Sequence, residues 1–346
     1  MIYSSSYIWA EYKYGDALKF VKQQSLFIVI GFILMYIVNK INYKIYYEKA
    51  NLILIICLFL LILVLIPGIG TIRNGSRSWF GIGSFGIQPS EFAKFALIIF
   101  VSKYLSKSEK VGRNIKKILS IFLVVGIFFL LIMLQPDFGT GMVIVLSIIS
   151  LIFASGVNFK YFYYLIGSGI IGITGLILVA PYRMKRIISF INPWADPLGS
   201  GFQIIQSLYA IGPGGLFGVG FLNSRQKHFY LPEPQTDFIF SIICEEFGII
   251  GAIVVLGLFT IIVFAGINIA LKQDNLFAKY LAYGITFQII FQAVLNLCVV
   301  VGIVPVTGYA MQCNWLLRLN IFLYFWGFLG FRSNFKMWKK PKKMKK

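Results

Sequence analysis

The residues best placed to do chemistry stand at the edges of apolar runs, where a charge needs a task or a partner. Asp237 heads one such run in "LPEPQTDFIFSIICEEFG". Glu91 and Lys94 lie three apart in "QPSEFAK", and Asp137 follows a proline in "QPDFGTG". Arg77 belongs to "NGSRSW", and Arg183 and Arg186 to "PYRMKR". A carboxylate beside an anion-binding cluster can act as a general base on a hydroxyl. Guanidinium forks match phosphate oxygens well. Each residue also has a plainer account. Asp137 is placed to cap a helix. Glu91 and Lys94 share a helix face and would pair as an anchor for the helix top. With Thr236 as cap, Asp237 would open a helix whose dipole favours a negative charge there.

These residues are carried by a chain built for lipid. Of its 346 residues, 58% are hydrophobic, and the mean hydropathy is +0.82. Soluble domains do not have this composition. Apolar blocks that could cross a bilayer as helices of about 20 residues fall near 25–41, 51–67, 89–105, 117–135, 139–155, 160–180, 238–268 and 276–304, with a further candidate at 315–331. No cleavable signal peptide is evident. The formal charge is +20. In a membrane protein such an excess marks cytoplasmic loops and anionic headgroups rather than nucleic acid. Cys57, Cys244, Cys298 and Cys313 stand singly, with no metal or redox spacing, and read as packing residues.

Lysine and arginine set the orientation. Lys40, Lys44, Lys49, Lys103, Lys107, Lys110, Arg113, Lys116, Lys117, Lys160, Lys272 and Lys279 flank alternate turns, which places those turns in the cytoplasm. The segments near 67–88, 136–138, 181–237 and 305–308 then face outward. The long connection at 181–237 carries Arg183, Lys185, Arg186, Arg225, Lys227 and the single histidine, His228. It is either a solvated loop or an external anion site. Within it, "GFQIIQSLYAIGPGGLFGVG" lacks a nucleotide-binding context and reads as a re-entrant packing segment. Glu245 and Glu246 lie about 12 Å further along their helix than Asp237 at 1.5 Å per residue. Structural pairing with a cation suits them, and a proton relay in a transporter is the alternative.

"NGSRSWFGIGSFGIQPSEFAK", "QPDFGTG", "YRMKRIISFINPWADPLGSGFQIIQS" and "LPEPQTDFIFSIICEEFG" together resemble the SEDS family, which includes RodA, FtsW and SpoVE. The resemblance covers about residues 1–308 and rests on four motifs in the family's order. It implies an all-α polytopic membrane protein of about 8–9 transmembrane helices with one long extracytoplasmic loop, in the bacterial cytoplasmic membrane. It implies peptidoglycan glycosyltransferase activity on lipid II, with a class B penicillin-binding protein and division, elongation or sporulation proteins as partners. The family's essential loop aspartate matches Asp237. Its helix-top Glu and Lys match Glu91 and Lys94, its "QPD" aspartate matches Asp137, and its paired arginines match Arg183 and Arg186. Arg77 lies on the same face as a further candidate for the substrate's charge. No cofactor is required by this chemistry, and a divalent cation at the diphosphate stays open.

Both ends depart from the family pattern. The start, "MIYSSSYIWAEYKYGD", reads as the end of a first span and the loop after it, with the span itself missing. After Gly308 the family's "PF.SYGGSS" motif is replaced by an apolar, then Lys-rich tail over 309–346. A reading-frame change at that point is the expectation. Two other readings therefore stay open beside the polymerase: a lipid II flippase, and an inactive family member that binds division or sporulation partners.

Overall fold

Side chains that favour helix starts mark where several elements begin. Asn42 accepts a hydrogen bond from the Lys44 amide at 3.0 Å, and Asn275 accepts from the Phe277 amide at 2.9 Å. Asp137 accepts from the Thr140 amide at 3.0 Å, and Pro89 occupies a first helical turn. Each device satisfies or avoids an orphan N–H at a helix end. The computed structural model describes residues 1–73, 76–81, 86–107, 115–158, 188–232 and 234–305, with scattered positions between 161 and 184. Its helices are α1 (Ile2–Tyr14), α2 (Lys19–Lys40), α3 (Tyr43–Leu65), α4 (Pro89–Ser106), α5 (Ile115–Met133), α6 (Phe138–Ala154), α7 (Phe202–Ile211), α8 (Ile239–Leu271) and α9 (Leu276–Val300).

Four of these are long and apolar enough to cross a membrane: Lys19–Val38, Tyr43–Leu65, Ile239–Leu271 and Leu276–Val300. α2 exposes Val29, Phe32, Ile33 and Tyr36, and α8 exposes Ile253, Val254, Ile261 and Phe264. Apolar faces of that extent belong against hydrocarbon rather than water. α4 is the opposite case. It packs against α3, α5, α6 and α9 and buries Ser90, Glu91, Lys94 and Ser102. Polar groups at membrane depth are tolerable when they face protein.

The core between α3, α4, α5, α6 and α9 is built from Leu61, Leu97, Ile98, Val101, Ile121, Phe128, Ile148, Leu151 and Ile285. α9 presses closely on α4. A Cβ at Gly284 would stand 2.5 Å from Cγ2 of Ile98, so only glycine permits that approach.

The all-α expectation needs one correction. Thr71–Arg73 (β1) and Ser76–Trp79 (β2) pair as an antiparallel hairpin between α3 and α4. Asn74-Gly75 stands between the strands in sequence, a recognised hairpin signal. Two spans also begin earlier than their apolar cores suggest. α2 starts at Lys19, without a side-chain cap, and α3 at Tyr43, where Asn42 caps it. The expected spans at 160–180 and 315–331, the cations Arg183, Lys185 and Arg186, and the tail 309–346 lie wholly or partly outside the described residues.

Candidate functional site

At the start of α4 the i,i+3 spacing produces the expected pair. Lys94 Nζ lies 2.8 Å from a Glu91 carboxylate oxygen, and the two residues are only 2% and 5% exposed. A buried ion pair loses its hydration and needs further hydrogen bonds to be tolerable. One comes from α9: Lys94 Nζ donates to Oε1 of Gln292 at 3.0 Å. One turn closer to the end of α9, Asn296 Nδ2 donates to the main-chain carbonyl of Asp237 at 3.1 Å. Gln288, Gln292 and Asn296 follow one another at four-residue steps and are all buried. A single face of α9 therefore touches both the Glu91–Lys94 pair and the Asp237 turn.

Asp137 joins the same end of the bundle. Besides capping α6, it accepts from Nε2 of Gln88 at 2.8 Å, and Gln88 is the residue immediately before α4. The starts of α4 and α6 are thus bonded through a buried carboxylate. The hairpin is tied in alongside, since the Ser76 hydroxyl donates to the carbonyl of Gln135. Gln135 in turn donates to the carbonyl of Leu61 at 3.4 Å. Arg77 turns toward the end of α3, with Nη1 3.5 Å from the Leu65 carbonyl.

Asp237 itself is half-buried and stands outside the helix it was expected to open. α8 begins at Ile239, its N-cap is Phe238, and that cap has no side-chain hydrogen bond. The N-cap position thus falls on Phe238 rather than on Thr236. The turn is held from the side instead, by Asn296 and by Phe238, which is buried in a cluster with Val300. Tertiary anchoring has overridden the local start signal.

Below this turn α8 is broken. Gly248 has φ 61° and ψ −153° inside the helix, a conformation essentially reserved for glycine. The Gly-rich stretch after α7 fills the break. The amides of Val219 and Gly220 donate to the carbonyls of Glu245 and Glu246 at 2.9 and 3.1 Å. The amides of Ile249 and Ile250 donate back to Gly215 and Leu216 at 2.9 and 3.3 Å. A Cβ at Gly218 would stand 2.2 Å from the Glu246 carbonyl oxygen, so here the glycines serve backbone-to-backbone approach.

The two deep glutamates are also accounted for. Glu245 accepts from the Ser224 hydroxyl at 2.6 Å and the Arg225 amide at 2.7 Å. Glu246 pairs with Lys227 at 2.9 Å and accepts from the Ser4 hydroxyl at 2.5 Å. Structural pairing with a cation is what the fold shows for Glu246. Lys227 is 1% exposed and bonds to both Glu246 and Ser4, while Arg225 and His228 are exposed.

Of the sequence-derived candidates, the fold joins Glu91 with Lys94, brings Asp137 to the start of α4, and links Asp237 to Lys94 by way of α9. Arg77 is directed to α3, and Arg183 and Arg186 fall outside the described residues. Gln88, Gln292 and Asn296 escaped the sequence reading. The usable signal was the four-residue recurrence of amides in "FQIIFQAVLN", since lipid-facing helices have no reason to carry such a row. Among the described residues, no group of three or more His, Cys, Asp or Glu is placed to hold a metal ion.

Comparison with known proteins finds relatives over most of the chain. Stage V sporulation protein E of Bacillus subtilis is 52% identical over 312 residues, which is 89% of this chain and 84% of that protein. A probable peptidoglycan glycosyltransferase FtsW of Saccharophagus degradans is 39% identical, covering 89% of this chain and 81% of its own. A chain from a solved peptidoglycan synthase complex superposes with a TM-score of 0.77 at 26% identity, over 98% of this chain and 96% of its own. A point variant of the Thermus thermophilus rod shape determining protein RodA superposes with a TM-score of 0.65 at 25% identity, over 89% and 86%. The cell cycle protein family of FtsW, RodA and SpoVE matches residues 1–313. The chain is a membrane protein and belongs to that family, the SEDS family.

Proposed function

We propose that this chain is a peptidoglycan glycosyltransferase that polymerises lipid II at the outer face of the bacterial cytoplasmic membrane. Relatives named as such enzymes, and a structural neighbour from a peptidoglycan synthase complex, support the activity. The observation that carries the site assignment is the buried polar row on α9, which ties the Glu91–Lys94 pair to the Asp237 turn. The higher identity to the sporulation protein than to FtsW supports a place in building the spore wall ahead of division or elongation.

In this reading the chain crosses the membrane about 8–9 times, and the connection at 181–237 lies outside it. The Asp237 carboxylate takes the proton from the 4-hydroxyl of a GlcNAc. The oxygen so freed forms a bond to C1 of the MurNAc at the reducing end of the growing strand. The bond from C1 to the diphosphate breaks, and undecaprenyl diphosphate leaves. A placed base is worth about 10² to 10⁴ in rate. Lys94, Arg183 and Arg186 supply positive charge for the departing diphosphate, with Arg77 nearby at the membrane surface. Asp137 holds the helix start that presents Glu91 and Lys94. The exposed apolar helix faces accommodate the polyprenyl chain, at about 0.8 kcal/mol per buried CH₂. The reaction calls for no cofactor, and the place for a divalent cation is the substrate's own diphosphate. A class B penicillin-binding protein supplies the cross-linking.

The test is polymerisation of lipid II by the purified chain reconstituted with such a partner, with product length read on a gel. Asp237→Asn is expected to abolish polymer while the protein remains folded by its thermal transition. An Asp237→Asn protein that still makes polymer overturns the base assignment. Vesicles that translocate labelled lipid II without forming polymer would replace the whole reading with a flippase.

A further inference from the structure

We infer that Asn296 is a positioning residue: α9 sets the place of the Asp237 carboxylate relative to Lys94, through Asn296 above and Gln292 below. The inference rests on the reaction proposed for Asp237.

Three observations lead to it. First, the turn bearing Asp237 lies outside the helix that follows it: α8 begins at Ile239, and its N-cap, Phe238, forms no side-chain cap. Second, the anchors identified for that turn converge on the last turns of α9. Asn296 donates to the Asp237 carbonyl, and Phe238 is buried in the apolar cluster that takes Val300. Third, the same helix grips the other half of the site through Gln292 and Lys94. Gln292 and Asn296 are 7% and 4% exposed.

A helix is stiff, so the two grips stand about 6 Å apart along the axis at 1.5 Å per residue. That separation cannot drift while both bonds hold. Losing the Asn296 amide leaves Lys94 in place and removes the bond that α9 makes to the Asp237 main chain. A displacement of about 1 Å at a reacting group can cost on the order of 10²-fold in rate. Asn296 does not reach the reacting atoms in this scheme; it acts through the Asp237 main chain.

The experiment uses the full chain with Asn296→Leu, and Asn296→Ala in case the larger side chain prevents insertion. The first readout is independent of activity. Amide exchange of residues 235–238 should accelerate about fivefold, as expected when a hydrogen bond worth about 1 kcal/mol is lost from a turn, while α4 and α6 keep their protection. The second is kinetic. The kcat for lipid II polymerisation should fall about 10- to 100-fold with KM changed less than about twofold, because positioning rather than binding is lost. Unchanged exchange in both variants, or a KM effect without a kcat effect, would overturn the inference. If Asp237→Asn retains polymerisation, the base reading falls separately, and the exchange data still decide whether Asn296 holds the turn.

Discussion

Among the described residues, two buried lysine–glutamate pairs differ in reach. Lys94 and Glu91 are one turn apart on α4, at 2.8 Å, with Gln292 from α9 as the outside partner. Lys227 and Glu246 are nineteen positions apart, at 2.9 Å. That second pair joins a loop to α8, and Ser4 of α1 bonds to both members. Tyr7 adds its ring, 5.2 Å from the Lys227 ammonium. The first pair would form on an isolated helix with the same spacing. The second exists only when α1, the loop and the broken α8 are assembled. The difference separates a local pair on one helix from a clamp that joins distant parts of the fold.

The clamp gives the largest expected effect. Lys227→Met leaves Glu246 charged and fully enclosed, and removing one partner of such a pair costs about 3–5 kcal/mol. The thermal transition in detergent should fall sharply. Adding Glu246→Gln should restore most of it, because the glutamine oxygen can still accept from Ser4 and no lone charge remains. Polymerisation should return with the fold. If the double variant folds and stays inactive, Lys227 has a role beyond the clamp.

The same pair of changes at the α4 start should behave differently. Glu91→Gln with Lys94→Met removes both charges together, so the fold is expected to survive with a transition close to that of the wild type. Activity should still fall by about 10²-fold or more, the cost of losing charge stabilisation at the transition state. Recovery of fold and activity together would reduce Glu91 and Lys94 to an anchor for the helix top.

The same contrast explains what could be read from the sequence. Local devices were legible. Glu91 and Lys94 share a face by spacing, Pro89 fits a first turn, and Asp137 caps α6 as its place before "FGTG" suggests. Devices that depend on distant partners were not. Lys227 looked like one of several loop cations, and nothing within the loop announces that Glu246 will claim it. Thr236 and Asp237 looked like a helix start, yet the helix begins at Ile239, and Asn296, 59 positions away, bonds to the Asp237 carbonyl. Gln292 and Asn296 were hidden for another reason. They sit in an apolar span whose mean hydropathy masks isolated amides, and only their four-residue rhythm sets them apart. The hairpin, with strands of three and four residues, is too short to stand out beside the long apolar runs that flank it.

A third pair sharpens the comparison by removing burial. Asp16 and Lys22, between α1 and the first turns of α2, meet at 2.9 Å, as close as the enclosed pairs, but both are exposed. The hydrogen bond from Lys22 holds the Asp16 carboxyl below its usual 3.8, with the Leu18 amide as the next contribution. A lowered carboxylate value in the folded state means that the pair's stabilisation is present above 3.8 and lost as pH falls through the lower, folded value. Asp16→Asn should therefore lower the thermal transition slightly at neutral pH. The gap to the wild type should stay constant down to about pH 5 and close in stronger acid. Added salt should narrow it at neutral pH as well, since water and ions screen an exposed pair. A gap that widened toward acid pH would mean that the Asp16 carboxyl is held in its neutral form, the reverse of what its bond to Lys22 requires. Of all the changes, this one should have the smallest effect, because distance alone does not make an ion pair matter. Enclosure does, and in this fold enclosure is supplied by α9 for one lysine and by α1 for the other.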